Sequence, residues 1–365
     1  MAAENVSSDH ALVNMSLGLY TTSNYSNRSS GGMYGPYPYD LLEDIREHLK
    51  VYLTPTLITF GLLGNSISWM TLLRSKLQNF SSSHYLVALC IANNIYLVAA
   101  LLKWLSIHNV EILTRSGLCQ IMSFIEYSSI FLSNWYVVAF CIDRYIALCW
   151  PTEGIRLCTK ARARTVIIAL CIVSMVIYIN MSVTKGVTDF NGTKRCRSLQ
   201  FYYHNLKLIL VIQYVLNVML PYICIVLLSL LLIINIYITH IRDVFSDDNS
   251  PSLLKKTTFV YMLLFFILHT PFELYHLTHT FRTIADPSHK YDRNEFLTQA
   301  FIMHFFNLSM CIHLPVYLCT YPLFRNYIVQ NWFGICQKCT SRQQAKPSRE
   351  EIEFSGVKQM EESVV

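Results

Sequence analysis

The sequence predicts an all-α membrane protein, a seven-transmembrane helix bundle with a short amphipathic eighth helix. Three observations carry this. Only 14% of the 365 residues are charged, against ~25% in an ordinary soluble domain. Hydrophobic residues make up 53%, and the mean hydropathy is +0.35, too apolar for disorder over most of the chain. The apolar residues gather into seven runs, each long enough to cross a hydrocarbon core of ~30 Å as a helix of about 20 residues.

The runs fall at residues 51–73, 85–106, 118–149, 163–183, 206–238, 253–281 and 296–319. Each is bounded by polar, charged or Gly/Pro-containing sequence. They are apolar all round, as lipid-embedded helices are, and lack the ~10-residue alternation of a membrane barrel. The organisation expected is a polar N-terminal tail (1–50), a bundle (51–320), an amphipathic stretch (321–335) and a disordered tail (336–365). No apolar run follows a basic start near the N-terminus, so no cleavable signal peptide is expected. A net charge of +6 is too small to argue for nucleic acid. No phosphate loop, nucleophile elbow or zinc spacing appears, so enzyme chemistry has no support and no cofactor or metal is expected.

Lys and Arg bias orients membrane proteins, but here it is weak. With the N-terminus outside, 16 fall on inner segments, 12 on outer ones, and Lys103 lies in a span. Sequons give more. Asn5, Asn14, Asn24 and Asn27 start N-x-S in the N-terminal tail, and Asn191 starts N-G-T after span four. Glycosylation is lumenal, and four crossings put both segments on one side, so sequons in both point to an N-terminus outside. Asn79 and Asn180 also match, on the inner side or in a span, but the five matches in two agreeing segments still favour an extracellular N-terminus. Of 12 cysteines, only Cys119 and Cys196 then face the oxidising side, which makes them a candidate disulfide.

Further residues carry a family resemblance. Asp143-Arg144-Tyr145 stands at the inner end of span three, and Arg144 follows Cys119 by 25 residues. Gly64-Asn65 lies in span one and Trp104 ends span two. Pro221 interrupts span five, Phe265…Pro271-Phe272 marks span six, and Pro315-Val316-Tyr317 precedes Phe324-Arg325. In this order the set resembles the rhodopsin-like (class A) G protein-coupled receptors over about residues 50–335. The segment 133–151 is most similar to invertebrate neuropeptide receptors of the FMRFamide type.

The resemblance implies a plasma-membrane receptor that binds an extracellular ligand and activates heterotrimeric G proteins. Arrestin is an implied partner, and a short amidated peptide is the expected ligand. Asp143, Arg144 and Tyr145 would meet the G protein. Phe265, His269, Pro271, Pro315 and Tyr317 would form the switch. Departures stand out: Asn93 replaces an Asp that in the family helps bind sodium, although Ser133 fits its usual partner. His269 replaces an aromatic, and Leu314 stands before Pro315.

Ionisable groups inside a span are costly and point to function. Glu126 precedes Arg144 by 18 residues, five turns and ~27 Å of helix, so both face the bundle interior. Lys103 lies at similar depth and offers Glu126 an internal partner, an alternative to a cationic ligand group. Glu273 adds a second carboxylate, and Gln213, His276 and His304 are further candidate lining residues. His276 and His279 are too few for a typical metal site. Cys336 and Cys339 are palmitoylation candidates, which would tether the eighth helix along the bilayer. The terminal Ser363-Val364-Val365 matches a PDZ ligand.

Rival readings are narrower. An opsin needs a lysine in span seven, and residues 297–320 contain none. A transporter is disfavoured because no internal repeat is visible. A small-molecule amine receptor, or a decoy that binds ligand without activating G protein, stays open through Glu126 and the departures above.

Overall fold

The computed structural model describes residues 44–108, 115–190, 193–199, 208–209, 211–243, 260, 262–272, 274–275, 277–278 and 293–331. The N-terminal sequons, Asn191, Glu273, His276, His279, Cys336, Cys339 and the terminal valines lie outside these residues.

Helices occupy the expected runs. They are α1 (Thr54–Arg74), α2 (Ser81–Ile107), α3 (Ser116–Cys149), α4 (Lys160–Tyr178) and α5 (Leu220–Asp243). Next come α6 (Met262–Phe272), α7 (Arg293–Cys311), α8 (His313–Thr320) and α9 (Pro322–Asn331). Among the described residues, five helices are long and apolar enough to cross a membrane, and α7 with α8 makes a sixth span bent by 49°. The remaining run, 253–281, is represented by α6; the ends of that run lie outside the described residues. A short helix, Pro151–Leu157, links α3 to α4, and another, Met181–Thr184, extends α4. Strands β1 (Lys185–Phe190) and β2 (Thr193–Ser198) form an antiparallel hairpin with Val187 opposite Cys196.

Helix α3 is the axis of the bundle and the most buried of the long spans, whereas α4 is the least. On α4, Ile168, Ile172 and Val176 form an exposed apolar stripe at helical spacing, the face such a helix gives to lipid. Leu86, Leu89, Tyr136, Val137, Phe140 and Cys141 pack near the Arg144 end. Ile58, Tyr96, Leu97, Phe306 and Met310 pack α1, α2 and α7 together. Helices α1 and α7 touch closely at Gly61, where a Cβ would lie 2.5 Å from Cys311 Sγ and 2.7 Å from Leu97.

The prolines act where the sequence places them, each by withholding a backbone donor. Pro221 cannot bond the carbonyl of Asn217, and the chain relaxes there into a π-helical turn, Val215–Met219. Two side chains of α3 take up carbonyls of that turn. Asn134 Nδ2 donates to Asn217 O at 2.9 Å, and Trp135 Nε1 donates to Leu216 O at 3.0 Å. Pro315 likewise leaves the carbonyl of Cys311 without its helical donor, and the 49° bend falls between Cys311 and His313.

Candidate functional site

Three groups of polar side chains line the bundle axis, one at the disulfide end, one at mid-depth and one at the Arg144 end. The first is held by the hairpin. Cys119 and Cys196 are bridged, with their Cα atoms 5.5 Å apart. Gln120 Nε2 donates to Lys185 O at 3.2 Å, and Leu199 N to Thr184 O at 2.8 Å. The base of the hairpin is therefore fixed to α3 and to the end of α4.

Beneath it sits Glu126, with no solvent exposure. Lys103 of α2 forms a salt bridge to its Oε2. Of the two partners the sequence allows for this carboxylate, the structure holds the internal one. The other oxygen, Oε1, is buried with no hydrogen-bond partner. Lys185 joins the group: its Nζ lies 3.4 Å from Tyr127 Oη and 5.3 Å from the centre of that ring. Burial, with the charge of Lys103, pushes the Lys185 ammonium down to about 8, and the Glu126 carboxylate opposes the shift. Tyr127 stacks on Tyr178 at 6.0 Å. Lys185 and Tyr127 were not picked out in the sequence. Lys185 is the first residue after an apolar span and reads there as an ordinary interfacial lysine, because only the hairpin turns it inward.

Two candidate lining residues are committed to other helices. Gln213 is buried and donates to Ile177 O at 2.7 Å and to Asn180 Oδ1 at 2.8 Å. His304 contacts Ala300 O through Nδ1 at 2.8 Å and Thr54 Oγ1 through Nε2 at 3.4 Å.

At mid-depth the aromatic and imidazole rings interlock. His269 stacks on Phe265 with centroids 3.8 Å apart and meets Phe306 edge-on at 5.6 Å. Phe272 stacks on Phe306 at 4.4 Å. Just below, Ser133 Oγ donates to Asn93 Oδ1 at 2.7 Å, and Asn93 Nδ2 faces His313 Nε2 at 2.6 Å. Asn65 Nδ2 donates to Met310 O at 3.0 Å. The importance of His313 is not visible in the sequence, since a lone histidine in a span carries no spacing signal.

At the far end, Arg144 is 5% exposed and Asp143 6% exposed. Arg144 Nη2 donates to Asp143 Oδ2 at 2.7 Å. Ser81 Oγ caps the other carboxylate oxygen at 2.6 Å, and Cys158 Sγ donates to Asp143 O at 3.4 Å. Burial, and to a lesser extent the Asp143 charge, pushes the Cys158 thiol up to about 12, so it is a donor and not a thiolate. Tyr145 meets Trp150 edge-on at 5.8 Å. Tyr317 is buried against Phe324, with centroids 5.4 Å apart. Pro251, which occupies the place of an acidic span-six partner for Arg144, lies outside the described residues.

A buried arginine held by its neighbouring aspartate at one end of α3, and a bridged hairpin over the other, belong to a known pattern. The sequence matches the family "7 transmembrane receptor (rhodopsin family)" over residues 64–316. The chain belongs to the rhodopsin family of seven-transmembrane receptors. Its relatives include the thyrotropin-releasing hormone receptor of Gallus gallus, 34% identical over 110 residues, covering 30% of this chain and 28% of that protein. The somatostatin receptor type 3 of Mus musculus is 29% identical over 139 residues, or 38% of this chain and 32% of that protein. The neurotensin receptor type 1 of Rattus norvegicus is 27% identical over 187 residues, or 48% and 43%. The chain thus spans less than half the length of the curated relatives it matches. By name these relatives are receptors for thyrotropin-releasing hormone, somatostatin and neurotensin. None of the three is an FMRFamide-type receptor, so that narrower similarity stays an expectation.

Proposed function

We propose that this rhodopsin-family receptor binds a short extracellular peptide at the disulfide end and, in response, activates heterotrimeric G proteins at the Arg144 end. The single observation that carries the reading is the arrangement on α3: a charged, hairpin-covered group at one end and the Asp143–Arg144 pair at the other. The breaks before Pro221 and Pro315, with the backbone bond that Pro271 withholds, give the helices between them more than one packing of similar energy. A ligand that prefers one packing shifts the population, and an effect at the distant end is coupling between two sites. Arg144 then leaves Asp143 and offers its donors to carbonyls of the docked partner.

The peptide relatives favour a peptide over a small amine. The Lys103–Glu126 bridge points the same way, since a ligand ammonium would have to displace an ammonium already seated. An amidated C-terminus stays in the proposal, as do the N-outside orientation, Glu273 as a second ligand contact, glycosylation, palmitoylation, arrestin and a PDZ partner. The test is a set of amidated and free-acid peptides applied to cells expressing the full chain, with calcium and cyclic-nucleotide readouts. A response to a peptide that is lost in Arg144→Ala supports the proposal. A second reading, a receptor that binds without activating, rests on Asn93, His269 and Leu314. Specific peptide binding to the purified receptor with no nucleotide exchange on G protein would favour it.

A further inference from the structure

We infer that the centre of this bundle takes no sodium ion, and that the His313 side chain fills that place by tying α2 to α8 through Asn93. The resemblance to rhodopsin-like receptors implies a sodium site around the position of Asn93, so the residues present can be tested against that ion.

A hard cation wants several oxygen ligands and, in a low-dielectric interior, a compensating negative charge. The group here supplies neither. Asn93 is fully buried and neutral, and its one oxygen accepts from Ser133 at 2.7 Å. Its amide nitrogen, a donor that repels cations, points into the site at His313 Nε2, 2.6 Å away. Ser133 also faces Met310 Sδ at 3.5 Å, and a thioether is a poor ligand for sodium. Asn65 Oδ1 is buried and without a hydrogen-bond partner in the protein, Met310 O already accepts from Asn65 and Asn93, and neutral carbonyls supply no compensating charge. The other group nearby is His269, itself a base and not an anion. Among the described residues, the buried carboxylates are engaged elsewhere, Glu126 by Lys103 and Asp143 by Arg144.

The same contacts assign His313 its task. It begins α8, immediately after the 49° break. Its ring reaches Asn93 on α2, which in turn holds Ser133 on α3. A side chain just past the bend of a broken span thereby joins two further helices, a link that elsewhere in the family an ion can make. The pairing needs an acceptor at Nε2, so the ring proton sits on Nδ1.

The test uses the purified full-length receptor in detergent and needs no ligand. Thermal unfolding midpoints are measured in sodium chloride and in choline chloride at equal ionic strength. A site that binds only the folded state would raise the midpoint progressively with sodium. The expected result is equal midpoints in the two salts, within about 1 °C. His313→Ala is expected to lower the midpoint by roughly 3–6 °C in both salts. His313→Gln, which keeps an acceptor toward Asn93, is expected to recover most of that loss. Asn93→Asp combined with His313→Ser supplies a carboxylate and removes the ring, and its midpoint should rise with sodium but not with choline. A wild-type midpoint that rises with sodium, and no longer does so in Asn93→Ala, would overturn the inference. So would an unchanged midpoint in His313→Ala, or a double variant blind to sodium. If His313→Ala does not fold, the wild-type salt titration and the double variant still decide.

Discussion

The two buried ion pairs of α3 look alike in composition and differ in what they join. Lys103 and Glu126 come from different helices, whereas Asp143 and Arg144 are sequence neighbours. The first pair is a tie across the bundle. The second holds nothing together, because both members ride on the same turn. The tertiary contacts at that end are made by Asp143, through Ser81 and Cys158, and none of those requires Arg144. A pair between helices stabilises a packing, while a pair within one turn stores a side chain that a partner can draw away.

That contrast predicts a graded series of stability effects. The largest belongs to Glu126→Gln. It leaves Lys103 beside a neutral amide in a site with no solvent exposure at Glu126, and removing one partner of a buried pair costs about 3–5 kcal/mol. Lys103→Met in the same background should recover much of the loss, as read by thermal unfolding of single and double variants. Loss of additivity is the signature of contact.

Lys185 comes next, through pH. Its ammonium sits at about 8 in the folded protein against an ordinary value of 10.5. At pH below 8 the group is charged both folded and unfolded, and the cost of burying it is fully present. Between 8 and 10.5 the folded state releases its proton first, so the cost is progressively relieved and stability rises with pH. The whole effect is on the order of 2–4 kcal/mol. The check is the difference in unfolding midpoint between the wild type and Lys185→Met, which should narrow as pH passes from 7 to 10. No such change is expected for variants at the Arg144 end.

Gly61→Ala follows. Its Cβ would meet Cys311 Sγ at 2.5 Å and Leu97 at 2.7 Å, and overpacking of this kind costs about 1–3 kcal/mol. Arg144→Ala costs less than Glu126→Gln, on the order of 1–3 kcal/mol, because the Asp143 carboxylate it leaves behind keeps its Ser81 bond. The same substitution is expected to abolish G protein activation. A large loss of stability in Arg144→Ala would erase the distinction between the two pairs.

Much of this was legible in the sequence, and what was not has a physical reason. The spans were readable because lipid demands long apolar helices whatever the tertiary fold. The Cys119–Cys196 bridge followed from topology, since it needs only that both residues share a side. Glu126 and Arg144 were placed on one face by helix period alone, and the alternative partner Lys103 was named from depth. Tertiary partners beyond that were hidden. Gln213 and His304 read as cavity residues because polar side chains in spans face inward, yet both bond neighbouring helices. Lys185 needed the hairpin to turn it in, and His313 needed the bend in front of Pro315. The Asn134 bond to the Pro221 turn could in principle be anticipated, because a proline frees a known carbonyl, but the donor that answers it lies 83 residues away.

The central claim is that events at the hairpin-covered end of α3 release Arg144 at the other. The most direct measurement is nucleotide exchange on purified heterotrimeric G protein with the reconstituted receptor and a peptide that activates cells expressing it. Exchange should rise with peptide, and Arg144→Ala should hold it at the receptor-free rate while peptide still binds. Saturable peptide binding to the wild type with exchange unmoved from that rate would contradict the account.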